Sequence, residues 1–138
     1  MRYVLIILAL LGIAASSLAL REHYRPYGES VCDINDHWDC GIVNHSPYAM
    51  LHGIPIADIG IAGYLLLGIL AFKRMHKTML VLAVPALAFS LYLAHIEKDV
   101  LGVWCLYCAI SLGVISLIAL LLVVTVTARF IRGPNPSL

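Results

Sequence analysis

The chain has 138 residues, of which 62% are hydrophobic and only 12% charged, and its formal net charge is +1. Soluble domains are about 45–50% apolar and about 25% charged, so this composition, with a mean hydropathy of +0.93, is that of a small integral membrane protein. No basic cluster and no glycine-rich phosphate loop occurs, which leaves nucleic-acid and nucleotide binding without support.

Four apolar stretches follow one another, each near the roughly 20 residues that cross a bilayer. The first covers residues 3–20. Its "SLA" at 17–19 resembles a small-residue cleavage site, but the run is longer than the about 7–15 residues of a signal-peptide core, so a retained span is expected. A polar stretch, 21–58, separates it from the second run, 59–72, which is short unless "GIPIAD" extends it as a partly buried entry. Asp58 is placed to cap the start of that helix.

The third run, 78–96, contains Pro85, a kink that neighbouring helices can accommodate. The charged "EKD" at 97–99 is costly in lipid and reads as the end of this span. The fourth run, 104–128, opens on "WCLYC". No internal repeat interrupts the pattern. The expectation is an all-α membrane protein, one domain over 1–138 built as a four-transmembrane-helix bundle.

Orientation follows from the cationic residues. Arg2, Lys73, Arg74, Lys77, Arg129 and Arg132 fall at the N-terminus, the second-to-third connection and the C-terminus; only Arg21, Arg25 and Lys98 fall on the other side. Both termini are therefore expected in the cytoplasm. The 21–58 loop, and with it all four cysteines, then faces outward.

Those cysteines form two close pairs: Cys32 and Cys40 in the loop, Cys105 and Cys108 at the outward end of the fourth span. An even count on the extracytoplasmic side points to disulfides. A structural bridge gains most by closing a long loop, whereas these pairs close very short ones, which suits electron exchange better than stapling. "CLYC" puts its cysteines on one helix face, where unpaired N–H groups and the helix dipole favour a thiolate. Such a thiol leaves and attacks readily in exchange.

Zinc is the rival reading, since four cysteines can complete a tetrahedral site. A structural zinc site usually has tight spacing in both pairs, and the loop pair is separated by seven residues. His37, His45 and His52 are read as solvated loop histidines, and no metal site is expected. Ala109 after the second cysteine excludes c-type haem attachment.

The order Cys-x7-Cys, Ser46, "GIP", "DIGIAGY" and a Cys-x2-Cys opening the last helix resembles the vitamin K epoxide reductase family, particularly its bacterial homologues. The resemblance covers about residues 5–126. The other four-helix thiol oxidase family, DsbB, carries its Cys-x2-Cys in the first loop, so the cysteine order argues against it.

The resemblance implies a bundle around a quinone, ubiquinone or menaquinone, capped by the outward loop, in a bacterial inner membrane. It also implies roles for the four cysteines as the catalytic set. Cys108 faces the quinone, Cys105 exchanges with Cys40, and Cys32 exchanges with an outside dithiol. Bacterial members oxidise a DsbA-like thioredoxin-fold protein; the chain ends at "RFIRGPNPSL", so a separate partner is expected. Ser46, Gly60 and Tyr64 match family positions. Vertebrate members hold the vitamin K head with an Asn and a Tyr, and the aligned positions here are Ile56 and Leu112, which speaks against epoxide reduction.

The expected quinone slot takes Gly60, Gly63 and Tyr64 with Tyr92, Ala109 and Leu112. Small residues equally serve close helix packing. His95, one turn from Tyr92, is a candidate proton relay, against the plainer reading of an interfacial histidine. Trp38, Trp104 and Tyr107 are read as interfacial belt aromatics. Two other functions stay open: a non-catalytic membrane scaffold with static disulfides, and a cysteine metal-binding subunit.

Overall fold

The computed structural model describes residues 2–24, 38, 47 and 50–132. Cys32, Cys40 and Ser46, and most of the loop that carries them, lie outside the described residues. The elements are helix α1 (Arg2–Tyr24), strands β1 (Met50–Leu51) and β2 (Ile54–Pro55), helix α2 (Ile56–Phe72), helix α3 (His76–Ile96) running into a π-helical turn (Glu97–Leu101), and helix α4 (Leu106–Arg132).

All four expected apolar runs are helices. Three of them, α1, α3 with its π turn, and α4, are long and apolar enough to cross a membrane; α2, at 17 residues, is shorter. The chain is therefore a membrane helical protein. Leu10, Leu65, Val81, Val84, Leu117 and Val124 point away from the protein interior, a pattern that suits lipid as the surrounding solvent.

Helix α1 buries Leu5, Ala9, Gly12, Ala15, Ser16 and Ala19, a stripe at three- and four-residue spacing. Most of these are small, which lets neighbouring backbones approach closely. The stripe packs on α2 and α4, and α3 packs on α4 and α2. Tyr64, Leu67, Leu70 and Ala71 of α2, Met79 and Ala83 of α3, and Val114, Ile115, Ile118 and Leu122 of α4 complete one core.

The entry to α2 differs from the expected cap. "GIP" closes a small hairpin pairing Met50 with Pro55 and Leu51 with Ile54. His52 (φ 52°) and Gly53 (φ 83°) form its turn, and two consecutive positive φ values match the right-handed twist of paired strands. Pro55 is the N-cap residue of α2 and no side chain caps it. Asp58 is thus not the cap; it lies inside the first turn, where its charge still opposes the positive end of the helix dipole.

The α2–α3 connection is short because α2 ends in a pair of capping hydrogen bonds. The Arg74 N–H donates to the Ala71 carbonyl at 3.0 Å and the Met75 N–H to the Leu70 carbonyl at 2.9 Å. This end needs a left-handed residue, usually glycine, and here Arg74 takes it at φ 58°. Arg74→Gly is expected to stabilise the protein by about 1 kcal/mol by removing the Cβ clash; an unchanged or lowered thermal midpoint contradicts that account. At the same end Arg2 stacks over the Phe72 ring at 5.7 Å, so the start of α1 lies beside the end of α2.

Candidate functional site

Helix α4 begins one residue after Cys105, and the first cysteine of the pair is its capping residue. The Cys105 carbonyl accepts the Ala109 N–H at 2.9 Å, while its Sγ accepts the Cys108 N–H at 3.4 Å. The sulfur therefore occupies the place a Ser or Asp oxygen takes at most helix starts. Cys105 is fully buried and Cys108 partly so.

Beside the pair lies a cavity of about 330 Å³, within the size range of small-molecule sites. Cys108 lines it; Cys105 does not. Four further residues singled out for binding meet there: Gly60 and Tyr64 from α2, Ala109 and Leu112 from α4. Gly63, Trp104 and Tyr107 line it as well. Two of the three aromatics read as belt residues thus border the cavity next to the thiols.

The glycines on this wall differ in kind. A Cβ at Gly60 would come within 2.8 Å of Ser16 Oγ, whereas one at Gly63 meets nothing within 4 Å. Gly60 lets α1 and α2 close together, and Gly63 leaves open space. The Tyr64 hydroxyl is already committed: it donates to the Ser111 carbonyl and pairs with Ser111 Oγ, both at 2.8 Å. Tyr64 therefore ties α2 to α4 one turn beyond Cys108. A third glycine, Gly12, lies against the Tyr64 ring from α1 so closely that no Cβ fits.

Tyr92 and His95 do not line the cavity. Tyr92 is exposed and stacks on Phe89. The His95 side chain is 69% exposed, and its Nδ1 pairs with Asp99 Oδ2 at 2.8 Å. Among the described residues no group of three or more His, Cys, Asp or Glu is arranged to hold a metal.

"EKD" does more than end a span. The π turn, closed by Gly102 in the left-handed region (φ 72°), leaves Lys98 and Asp99 in the open but turns Glu97 inward, where it is only 5% exposed. The Cys105 N–H donates to Glu97 Oε2 at 3.2 Å, and the carboxylate also takes a hydrogen bond from the Cys108 side chain. Glu97 lines the same cavity. Spacing does carry a signal for it, because Glu97 stands at three- and four-residue steps from Ala86, Ser90 and Leu93 on the same cavity wall. Single-turn π segments are frequent at functional sites.

Trp38 forms an isolated parallel backbone bridge with Trp104. Cys40 is two positions beyond Trp38 in the chain, and Cys105 directly follows Trp104.

A helical membrane protein with a thiol pair at a helix start, open on one sulfur to an apolar cavity, belongs to the class of membrane thiol–disulfide oxidoreductases. The particular family is settled by sequence: residues 3–126 match the family model of the vitamin K epoxide reductase family, and the chain belongs to it. No curated protein matches the chain. Members of the family use quinones. The cavity suits such a group: its walls are largely aliphatic and aromatic, with Ser90, Ser111, Tyr107 and His23 as polar points able to meet ring oxygens.

Proposed function

We propose that this protein reoxidises a separate DsbA-like thioredoxin-fold protein outside the cytoplasmic membrane of a bacterium and passes the electrons to ubiquinone or menaquinone. The observation that carries the proposal is the split environment of the pair. Cys105 is shut off from the cavity beside a backbone bridge to the loop, and Cys108 opens into the cavity. An electron relay needs that division, and a static staple does not.

In this reading the partner's thiolate attacks the Cys32–Cys40 disulfide at Cys32. Cys40 then attacks Cys105, and the Cys105–Cys108 bond breaks with its electron pair left on Cys108. A bound quinone supplies the two-electron sink. Around it Gly63 leaves room, Ala109 and Leu112 exclude water, and Tyr64 holds α2 against α4. The exchange runs forward when each successive couple is more oxidising, and about 30 mV per step already shifts a two-electron equilibrium tenfold. Four crossings, including the short α2, put both termini in the cytoplasm, with the cysteine loop outside and over the cavity. Ile56 and Leu112 at the vertebrate head-group positions speak for thiol oxidation and against epoxide reduction.

The test is purified full-length protein mixed with a reduced DsbA-type protein and a short-chain quinone, with quinol formation followed by absorbance. Quinol production that stops without the partner supports the proposal. No quinol with all four thiols intact removes it and leaves the static scaffold.

A further inference from the structure

We infer that Glu97 is a catalytic acid–base for the Cys105–Cys108 pair, giving a proton to Cys108 when the disulfide opens and taking it back when the disulfide closes. The inference rests on the relay described above and deepens it. Its ground is geometric. One carboxylate, 5% exposed, accepts the Cys105 N–H at 3.2 Å and is hydrogen-bonded by the Cys108 side chain. It therefore touches the sulfur on which the electron pair arrives.

A buried carboxylate is costly unless it is fully hydrogen-bonded. In the dithiol the Cys108 S–H donates to it. In the disulfide that donor is gone, one backbone N–H remains, and the group is held as the neutral acid. The steps then balance. On opening, an incoming thiolate bonds to Cys105 Sγ, the sulfur–sulfur bond breaks, and the electron pair stays on Cys108 Sγ. The Glu97 O–H bond breaks and its proton moves to that sulfur, leaving the carboxylate. On closing, two thiols and the Glu97 carboxylate become a disulfide and a carboxylic acid, releasing two electrons and one proton.

Among the described residues the titratable groups around Glu97 are few. Cys105, Cys108 and Tyr107 come from the start of α4, His23 from α1 and Tyr64 from α2. His95, Lys98 and Asp99 flank it in sequence but are exposed, and His95 is engaged with Asp99. None of the flanking groups lines the cavity.

The stoichiometry gives a test independent of the quinone. The reduction potential of the Cys105–Cys108 couple in the full-length protein is measured against a dithiol buffer across neutral pH. One proton per two electrons gives a slope of about 30 mV per pH unit, the value of a tenfold change for a two-electron couple. Glu97→Gln keeps an oxygen for the Cys105 N–H but cannot carry the proton, so its slope doubles to about 60 mV per pH unit. Its quinol formation falls about a hundredfold, the scale of lost acid–base catalysis, and Glu97→Asp restores part of that rate. A wild-type slope of about 60 mV per pH unit overturns the inference, even if the glutamine variant fails to fold. So does a glutamine variant with the wild-type slope, or with wild-type turnover. A wild-type protein that shows the shallow slope yet makes no quinol refutes the relay instead and leaves the Glu97–Cys108 proton exchange standing.

Discussion

Cys108→Ser is expected to abolish quinol formation and to accumulate a mixed disulfide between Cys40 and Cys105. The Cys105 thiolate attacks the Cys32–Cys40 disulfide at Cys40 and releases Cys32 as a thiolate, but serine at 108 cannot attack the resulting Cys40–Cys105 bond to resolve it. The hydroxyl of serine still donates a hydrogen bond to Glu97, which keeps the start of α4 intact and separates a chemical loss from a folding one. Cys105→Ser gives the complementary result: turnover is lost and no loop-to-helix crosslink forms, because the acceptor sulfur is missing. Alkylation of intact membranes, non-reducing electrophoresis and mass spectrometry of the linked peptide distinguish the two. If neither serine variant changes the crosslinks, the cysteines are staples. If Cys108→Ser still forms quinol, the electrons do not pass through that sulfur.

Much of the frame was legible because membrane helices announce themselves by apolar length. The four runs expected at 3–20, 59–72, 78–96 and 104–128 are helices at Arg2–Tyr24, Ile56–Phe72, His76–Ile96 and Leu106–Arg132. The differences are at the ends. Apolar scanning stops at the first charge, whereas backbone hydrogen bonding carries α1 past Arg21 and α4 past Arg129. Strands of two residues are too short for any alternation to show, so the hairpin before α2, with its turn at His52 and Gly53, was not read from the sequence.

The site divides along a similar line. The cysteine pair and the wall formed by Gly60, Tyr64, Ala109 and Leu112 follow from motif and resemblance, and Cys108 shares one cavity with that wall. Ser111 and Glu97 were missed. Ser111 matters through a bond to a residue 47 positions away, and no local pattern encodes that. Glu97 was misread because a charge run at a helix end was taken as facing water throughout, whereas helix phase sets Glu97 on the cavity wall with Ser90 and Leu93. His95 was a candidate relay one turn from Tyr92, yet helix phase carries it to the outside, where it pairs with Asp99 as the plainer interfacial reading expects.

Two glycines make the division between packing and binding measurable. Gly12 and Gly63 look alike in sequence, since both are small residues in apolar helices and both fit the close-packing reading. Their surroundings are opposite: Gly12 is filled by the Tyr64 ring, and Gly63 has nothing within 4 Å of a Cβ. Gly12→Leu is therefore expected to force the ring away, break the bond from Tyr64 to Ser111 and cost about 3 kcal/mol, the upper end of ordinary overpacking. The damage appears as a lowered thermal midpoint together with lost activity. Gly63→Phe adds a side chain to open space in the cavity wall and leaves the midpoint within about 0.5 kcal/mol, as expected away from packed features. What it changes is the apparent KM for quinone, which rises at least about tenfold, or 1.4 kcal/mol. Reduction of the Cys105–Cys108 disulfide by the partner stays at the wild-type rate, because Cys105 does not line that cavity. A Gly63→Phe protein with unchanged quinone KM places the electron acceptor somewhere other than this cavity, and a Gly12→Leu protein of wild-type stability shows that the Tyr64 ring is not held as tightly as its contacts require.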